Sequence, residues 1–331
     1  MAEKINRSHL SASIDPNDRL ISLMGPEFKK YRQSWDQAEK GLRPDFPLHL
    51  DIDVTTACNL ACPMCPAGNS GHIFPGFKKG LFLDFSLYER ALKEGGEYGL
   101  PSVRLGVTGE PLLLGDIARW VRAARQSGVL DISLITNGQL LRPETSLELI
   151  EAGLTRLMIS VDAASERVYR QVRPGGQWDL LLKNIDGFLE ARAGLKSALP
   201  LLRLSFVEMG RNLSDRQSFE ERFSGLADYL SFQRYLNILG GEETDFRPAG
   251  SLPAAVGGSK TFCAEPFTRM AVHADGGLFP CCSDFGRLKP IANLASASLF
   301  SAWNSKAAAF LTGAEAANHE PCRVCLSRSS A

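Results

Sequence analysis

Three cysteines in the run Cys58-Asn-Leu-Ala-Cys62-Pro-Met-Cys65 are the residues whose type and spacing point most directly to chemistry. A spacing of three residues and then two is poor for closing a zinc tetrahedron, and it supplies only three thiolates. A cubane [4Fe–4S] cluster bound by three thiolates keeps one iron open for a small ligand. Five more cysteines lie beyond residue 260: Cys263, Cys281, Cys282, Cys322 and Cys325. The last two form a CX2C pair, and with Cys263 and Cys281 they make four thiolates. That count suits zinc or an iron–sulfur cluster equally well.

Such groups need elements that hold them. From residue 47 to about 239, short β-rich runs at 48–54, 102–107, 131–136, 156–161, 201–207 and 232–239 alternate with helical patterns at 86–97, 116–127, 143–152, 178–192 and 214–229. Strands alternating with helices predict parallel βα units, six in number. Where such units close into a barrel, functional residues gather at the C-terminal ends of strands. The CX3CX2C loop follows the first run, Thr108-Gly109-Glu110-Pro111 the second, Thr136-Asn137-Gly138 ends the third and Ser160-Val161-Asp162 the fourth. Residues 1–46 read as a leader of loop and helix, with Pro26 as a first helical residue and Phe28, Tyr31, Trp35 and Ala38 as a packing face. The stretch 247–260, rich in Gly, Pro, Ala and Ser, reads as a linker.

With these motifs in this order the chain resembles the radical S-adenosylmethionine superfamily. The resemblance implies an α/β fold with a partial (β/α)6 TIM-like barrel over residues 47–246, whose Cys58, Cys62 and Cys65 hold a [4Fe–4S] cluster. The open iron then chelates the amino and carboxylate groups of S-adenosylmethionine, and one electron yields a 5′-deoxyadenosyl radical that abstracts hydrogen from a substrate. Thr108-Gly109-Glu110-Pro111 resembles the family's Gly-Gly-Glu-Pro motif, with Thr in place of the first Gly. Gly109 lets backbone approach a ligand closely, and its carbonyl can accept from the methionyl ammonium. The Ser160 hydroxyl suits a ribose hydroxyl, Asn137 is a further candidate contact, and Met64 stands where relatives put an apolar residue against the adenine. Arg173 resembles the arginine placed on the methionyl carboxylate, with Arg170 as its rival.

Phe279-Pro-Cys-Cys-Ser-Asp284, Ile291-Ala-Asn-Leu294, Ala302-Trp-Asn-Ser305 and the closing CX2C resemble a twitch module, a reduced SPASM domain. The resemblance implies a small cysteine-rich α+β domain over 261–331, in which Cys263, Cys281, Cys322 and Cys325 hold an auxiliary [4Fe–4S] cluster. Cys282 is left beside a ligand, where it can be part of the turn, ligate in place of Cys281, or return a hydrogen atom. His273 and Asp275 fall in a hairpin-like stretch.

Composition excludes several classes. With 37 basic and 37 acidic residues among 331, formal charge is zero, and no electrostatic footprint for nucleic acid or an anionic membrane shows. The first 18 residues are polar, unlike a secretory signal, and no run of 18 apolar residues exists. Eight cysteines in this setting read as metal ligands in a reducing cytosol, so a cytoplasmic location is expected. The resemblance implies a flavodoxin- or ferredoxin-type electron donor. The expected reaction is oxidation of an alcohol in a small polyhydroxylated substrate (sugar, nucleotide sugar or aminocyclitol), with the auxiliary cluster accepting the electron. Redox-neutral epimerisation or decarboxylation of a sugar or nucleoside is the alternative. Peptide maturation is disfavoured because 46 leading residues are few for a leader-binding domain, and a bare electron carrier has no need of a three-cysteine loop. Candidate general bases are Glu208 after the fifth strand and Glu242, Glu243 and Asp245 after the sixth.

Overall fold

A computed structural model of the 331-residue chain describes residues 8–68, 77–235, 245–249, 263–282 and 290–305. The leader forms a short strand β1 (Ser8–Ser11) and two helices, α1 (Pro16–Met24) and α2 (Pro26–Ala38). Asp15 caps α1 by accepting from the Asn17 amide, and Gly25 at φ +80° turns the chain directly into Pro26. The repeating part follows as β2 (His49–Ile52), α3 (Phe85–Tyr98), β3 (Ser102–Leu105), α4 (Ile117–Gln126), β4 (Asp131–Thr136), α5 (Pro143–Glu151), β5 (Arg156–Ser160), α6 (Glu166–Val172), α7 (Trp178–Gly194), β6 (Leu201–Glu208), α8 (Arg216–Phe223) and β7 (Tyr229–Arg234). The C-terminal part adds α9 (Glu265–Thr268), β8 (Arg269–Val272), β9 (Gly277–Phe279), β10 (Ala292–Asn293) and α10 (Leu299–Trp303).

All ten strands join one sheet in the order β1-β7-β6-β5-β4-β3-β2-β8-β9-β10. Strands β2 to β7 pair parallel in sequence order, the (β/α)6 arrangement expected. The leader's β1 lies antiparallel on the β7 edge, and β8 from the C-terminal part lies parallel on β2 at the other. The sheet therefore runs without a break from the barrel into the C-terminal hairpin.

Side-chain alternation gives the two faces opposite characters. Leu50, Ile52, Val103, Leu105, Ile132, Leu134, Leu157, Ile159, Leu202, Leu204 and Phe206 face the helices and form one core with them. The intervening residues face the lumen, and most are polar: His49, Asp51, Asp53, Arg104, Ser133, Arg156, Ser160, Arg203, Ser205 and Ser231. A second core closes the lumen at the N-terminal ends of the strands. There Leu20, Phe28, Tyr31 and Ala38 of α1 and α2 pack on Leu48, Leu201, Tyr229 and Phe267.

Three elements differ from the expected ones. The sixth parallel strand begins at Tyr229 rather than 232, because α8 ends at Phe223 and Ser224-Gly225 turn the chain early. Residues 236–239 of the expected strand lie outside the described residues. Helix α6 had no counterpart among the expected helices; seven residues make too short a window for periodicity, although Ser165 caps it. Strand β1 was read as part of a loop-and-helix leader.

Candidate active site

The cysteine loop leaves β2 at its C-terminal end and is tied down on several sides. The hydroxyls of Thr55 and Thr56 donate to the carbonyls of Leu81 and Lys78, each at 2.7 Å, and the Ala61 amide donates to the Pro174 carbonyl. Two successive turns, Cys65 amide to Cys62 carbonyl and Gly68 amide to Cys65 carbonyl, wind the CX2C part. A Cβ at Gly68 would stand 2.4 Å from the Cys62 carbonyl oxygen, so only glycine closes this turn. Gly109 has its α-carbon against the loop: a Cβ there would meet the carbonyl oxygens of Thr55 and Ala57 at 2.3 and 2.5 Å.

The sulfurs of Cys58 and Cys62 have N–H groups beside them. Arg173 Nη1 is 3.8 Å from Cys62 Sγ, Asn137 Nδ2 is 3.9 Å from Cys58 Sγ, and the Leu60 amide donates to Cys58 Sγ at 3.4 Å. Burial pushes all three thiols up, Cys62 to about 12, so metal loading displaces protons from all of them. Among the described residues no three His, Cys, Asp or Glu side chains converge as metal ligands. The fit to a three-thiolate cluster rests on the donor set: one loop, three sulfurs, and N–H groups aimed at sulfur as second-sphere donors are.

Around the loop, Glu110 is almost fully buried and accepts from the Thr136 hydroxyl and the Asn137 amide, both at 2.7 Å, and from the Leu112 amide at 3.0 Å. Its carboxylate thus ties the second strand's loop to the end of the third. Burial pushes its pKa above the ordinary glutamate value. Asn137 also donates to Asn59 Oδ1 at 2.8 Å, bridging β4 to the cysteine loop. Ser160 ends β5 facing the lumen, and its hydroxyl engages none of the described side chains. Met64 is partly buried against the main core. Asp53, which sequence reasoning passed over, faces the lumen beside this loop and accepts from the Thr108 amide at 2.7 Å and hydroxyl at 2.9 Å. Burial pushes it up to about 7.

The two rival arginines separate cleanly. Arg170 is an exposed residue paired with Glu166 one turn earlier. Arg173 is 12% exposed and bonds through Nε and Nη2 to Oδ2 of the fully buried Asp162, at 3.0 and 2.5 Å. Asp162 takes a left-handed backbone (φ +62°) and also accepts from the Val207 amide, which fixes Arg173 over Cys62.

Glu208 does not reach the lumen. It shares the helix-side face of β6 with Leu202, Leu204 and Phe206, and Arg216 of α8 donates to it at 2.7 Å. Asp245 pairs with Arg247, and Glu242 and Glu243 lie outside the described residues. Of the second cysteine set, Cys263, Cys281 and Cys282 are described, while Cys322 and Cys325 lie outside the described residues. The expected hairpin is present: β8 and β9 pair antiparallel around Asp275-Gly276, with His273 stacked on Phe279 at 3.9 Å. Cys281 donates to Cys282, which raises the first thiol and lowers the second; Arg104 and Arg269 lower Cys282 further. The Cys281-Cys282 pair therefore stands beside two of the lumen's arginines.

Comparison with known proteins agrees with this geometry. A family profile described as the Radical SAM superfamily matches residues 52–203, and one described as an iron–sulfur cluster-binding domain, SPASM, matches residues 263–326. A protein named probable GTP 3′,8-cyclase from Saccharolobus solfataricus is 31% identical over 177 residues, 52% of this chain and 51% of that protein. The GTP 3′,8-cyclase of Synechococcus sp. (strain CC9902) is 34% identical over 174 residues, 49% and 48% of the two chains. The chain thus spans about half the length of the curated relatives it matches. Among solved structures, Streptococcus suis SuiB bound to precursor peptide SuiA superposes with a TM-score of 0.58 at 16% identity, covering 84% of this chain and 69% of that one. BtrN in complex with AdoMet and 2-DOIA superposes with a TM-score of 0.52 at 16% identity, covering 83% and 91%. At these identities the superpositions show the fold alone. The two domains imply a [4Fe–4S] cluster that binds S-adenosylmethionine and an auxiliary iron–sulfur cluster. With its three-cysteine loop at the mouth of a six-stranded parallel barrel and an iron–sulfur module continuing the same sheet, the chain carries a radical SAM superfamily domain followed by a C-terminal SPASM-type domain.

Proposed function

We propose that this radical SAM enzyme oxidises an alcohol carbon of a small polyhydroxylated substrate, a sugar, nucleotide sugar or aminocyclitol, bound in the barrel lumen. The observation that carries the reading is the lumen itself: hydroxyl-bearing Ser133, Ser160, Ser205 and Ser231 line it between the cysteine loop and the leader plug. Hydroxyl side chains both donate and accept, as a polyol requires.

Within this reading Cys58, Cys62 and Cys65 hold the first cluster, and Cys263, Cys281, Cys322 and Cys325 the auxiliary one. When bound, these groups and S-adenosylmethionine supply a hydrogen-abstracting radical and an acceptor for the electron left on the substrate. Arg173, held by Asp162, meets the methionyl carboxylate; the Gly109 backbone, Asn137 and the Ser160 hydroxyl contact the rest of the cofactor, with Met64 against the adenine. Helices α1 and α2 exclude water from below. Asp53 takes the role expected of Glu208: it faces the lumen beside the loop, and a carboxyl pushed up to about 7 is matched to accepting a hydroxyl proton near neutral pH. A flavodoxin- or ferredoxin-type protein supplies the reducing electron.

A second reading draws on the curated relatives. Their name, GTP 3′,8-cyclase, favours a redox-neutral rearrangement of a nucleotide. Anaerobic turnover with reductant and S-adenosylmethionine separates the two: oxidation gives 5′-deoxyadenosine and a product two mass units lighter than substrate, whereas a product of unchanged mass rejects oxidation.

A further inference from the structure

Among the described residues four arginines on the strands face the lumen side of the sheet, and three of them are paired. Arg156 is held by both oxygens of Asp131, at 3.0 and 3.2 Å. Arg104 and Arg269 share Asp51 at 2.6 and 3.4 Å, and Arg269 also meets Glu265 at 2.7 Å. Arg203, opposite Met158 and Tyr229 in the sheet register, has no carboxylate partner among the described residues. Its Nη1 reaches only the thioether sulfur of Met158 at 3.5 Å, and its Nε is buried without a partner. Arg104 and Arg156 stand close enough to oppose its charge.

An unpaired guanidinium beside two other cations costs desolvation free energy that a methionine or leucine would not. Nothing in the fold requires it, since the residue across β5 is itself apolar. We propose that Arg203 forms the floor of a substrate subsite that takes an oxyanion, phosphate or carboxylate, borne by the polyhydroxylated substrate. The Met158–Arg203 level lies two residues, about 7 Å, below the Ser160–Ser205 level. An anionic group seated there leaves a hydroxylated carbon one sugar-length higher, at the height of Ser160. The inference rests on the lumen being the substrate chamber of the proposed enzyme.

The test is anaerobic calorimetry on the cluster-reconstituted full chain, with inorganic pyrophosphate and malonate as phosphate and carboxylate probes. Wild type is expected to bind at least one of them with a dissociation constant of about 1 mM or lower. Arg203→Met should weaken that binding roughly tenfold or more, while melting no lower than wild type because a buried unpaired charge is gone. Arg203→Lys, which keeps the charge, should recover part of the affinity, and Arg119→Met on the exposed face of α4 should bind as wild type does. Whichever probe binds identifies the anion class. Failure of both to bind wild type, equal affinity in Arg203→Met, or a large loss of stability in that variant with affinity retained would overturn the subsite. Product mass is read separately, so anion binding at Arg203 with a product of unchanged mass would reject the oxidation and leave the subsite standing.

Discussion

At the scale of single residues, the site is built from side chains whose partners decide what they can do. Arg173 and Asp162 are the clearest case. Removing the guanidinium strands a fully buried carboxylate, which costs on the order of 3–5 kcal/mol. Arg173→Ala is therefore expected to lower thermal stability and S-adenosylmethionine affinity together, and alone it cannot assign a role. In Arg173→Met with Asp162→Asn, the asparagine carbonyl can still accept from the Val207 amide. That double variant should recover most of the stability in thermal melts yet bind the cofactor roughly tenfold more weakly than wild type; recovered affinity would make the pair structural. Asp53 offers a test by pH. Its carboxyl is raised to about 7 by burial and must be ionised to accept a proton. Product formation should therefore rise as pH climbs through about 7 and level off above it. Asp53→Asn, which keeps an oxygen for Thr108, should still form 5′-deoxyadenosine while product formation falls and its rising limb disappears.

At the scale of elements, the loops are held by each other as much as by the strands. Gly109 is fixed by the backbone of the cysteine loop, so Gly109→Ala must push Thr55 and Ala57 away and distort the segment carrying Cys58. Iron content after reconstitution should fall by roughly half, with the auxiliary set of about four irons kept; full iron in Gly109→Ala would show that the contact is soft. The strands themselves were legible because the helix-facing residues are apolar and bounded by turns, as in 131–136 and 156–161. Less legible was the lumen. His49, Asp51 and Asp53 alternate with Leu50 and Ile52, a pattern that in sequence reads as one solvent-facing side. Only the curl of the sheet and the α1–α2 plug turn that polar side inward. The same ambiguity hid Arg203 and Asp53 and made Glu208 attractive: sequence order placed it after a strand, but its parity along β6 sends it to the helices. Motif residues were legible for the opposite reason, since the cysteines, Asn137, Ser160 and Arg173 all fall at strand ends or in the segments that follow.

At the scale of the whole molecule, the described cysteines divide into two sets at opposite ends of the β2–β8–β9 part of the sheet. The CX3CX2C loop springs from the C-terminal end of β2, while Cys263 precedes α9 and β8, which pairs parallel with β2, and Cys281 follows β9. The buried group of His49, Asp51, Arg104 and Arg269 lies between them and binds β2, β3 and β8 into one body. Each set can therefore lose its metal while the sheet that carries the other persists. Reconstitution of the full chain should give about eight irons, on the order of four for each cubane. Replacing Cys58, Cys62 and Cys65 by alanine should leave roughly half of that iron, abolish 5′-deoxyadenosine and keep the charge-transfer absorbance of a fully thiolate-ligated cluster. A triple variant that retained no iron would show that the C-terminal set cannot assemble alone, and zinc in the retained site would show four thiolates serving a purely structural metal.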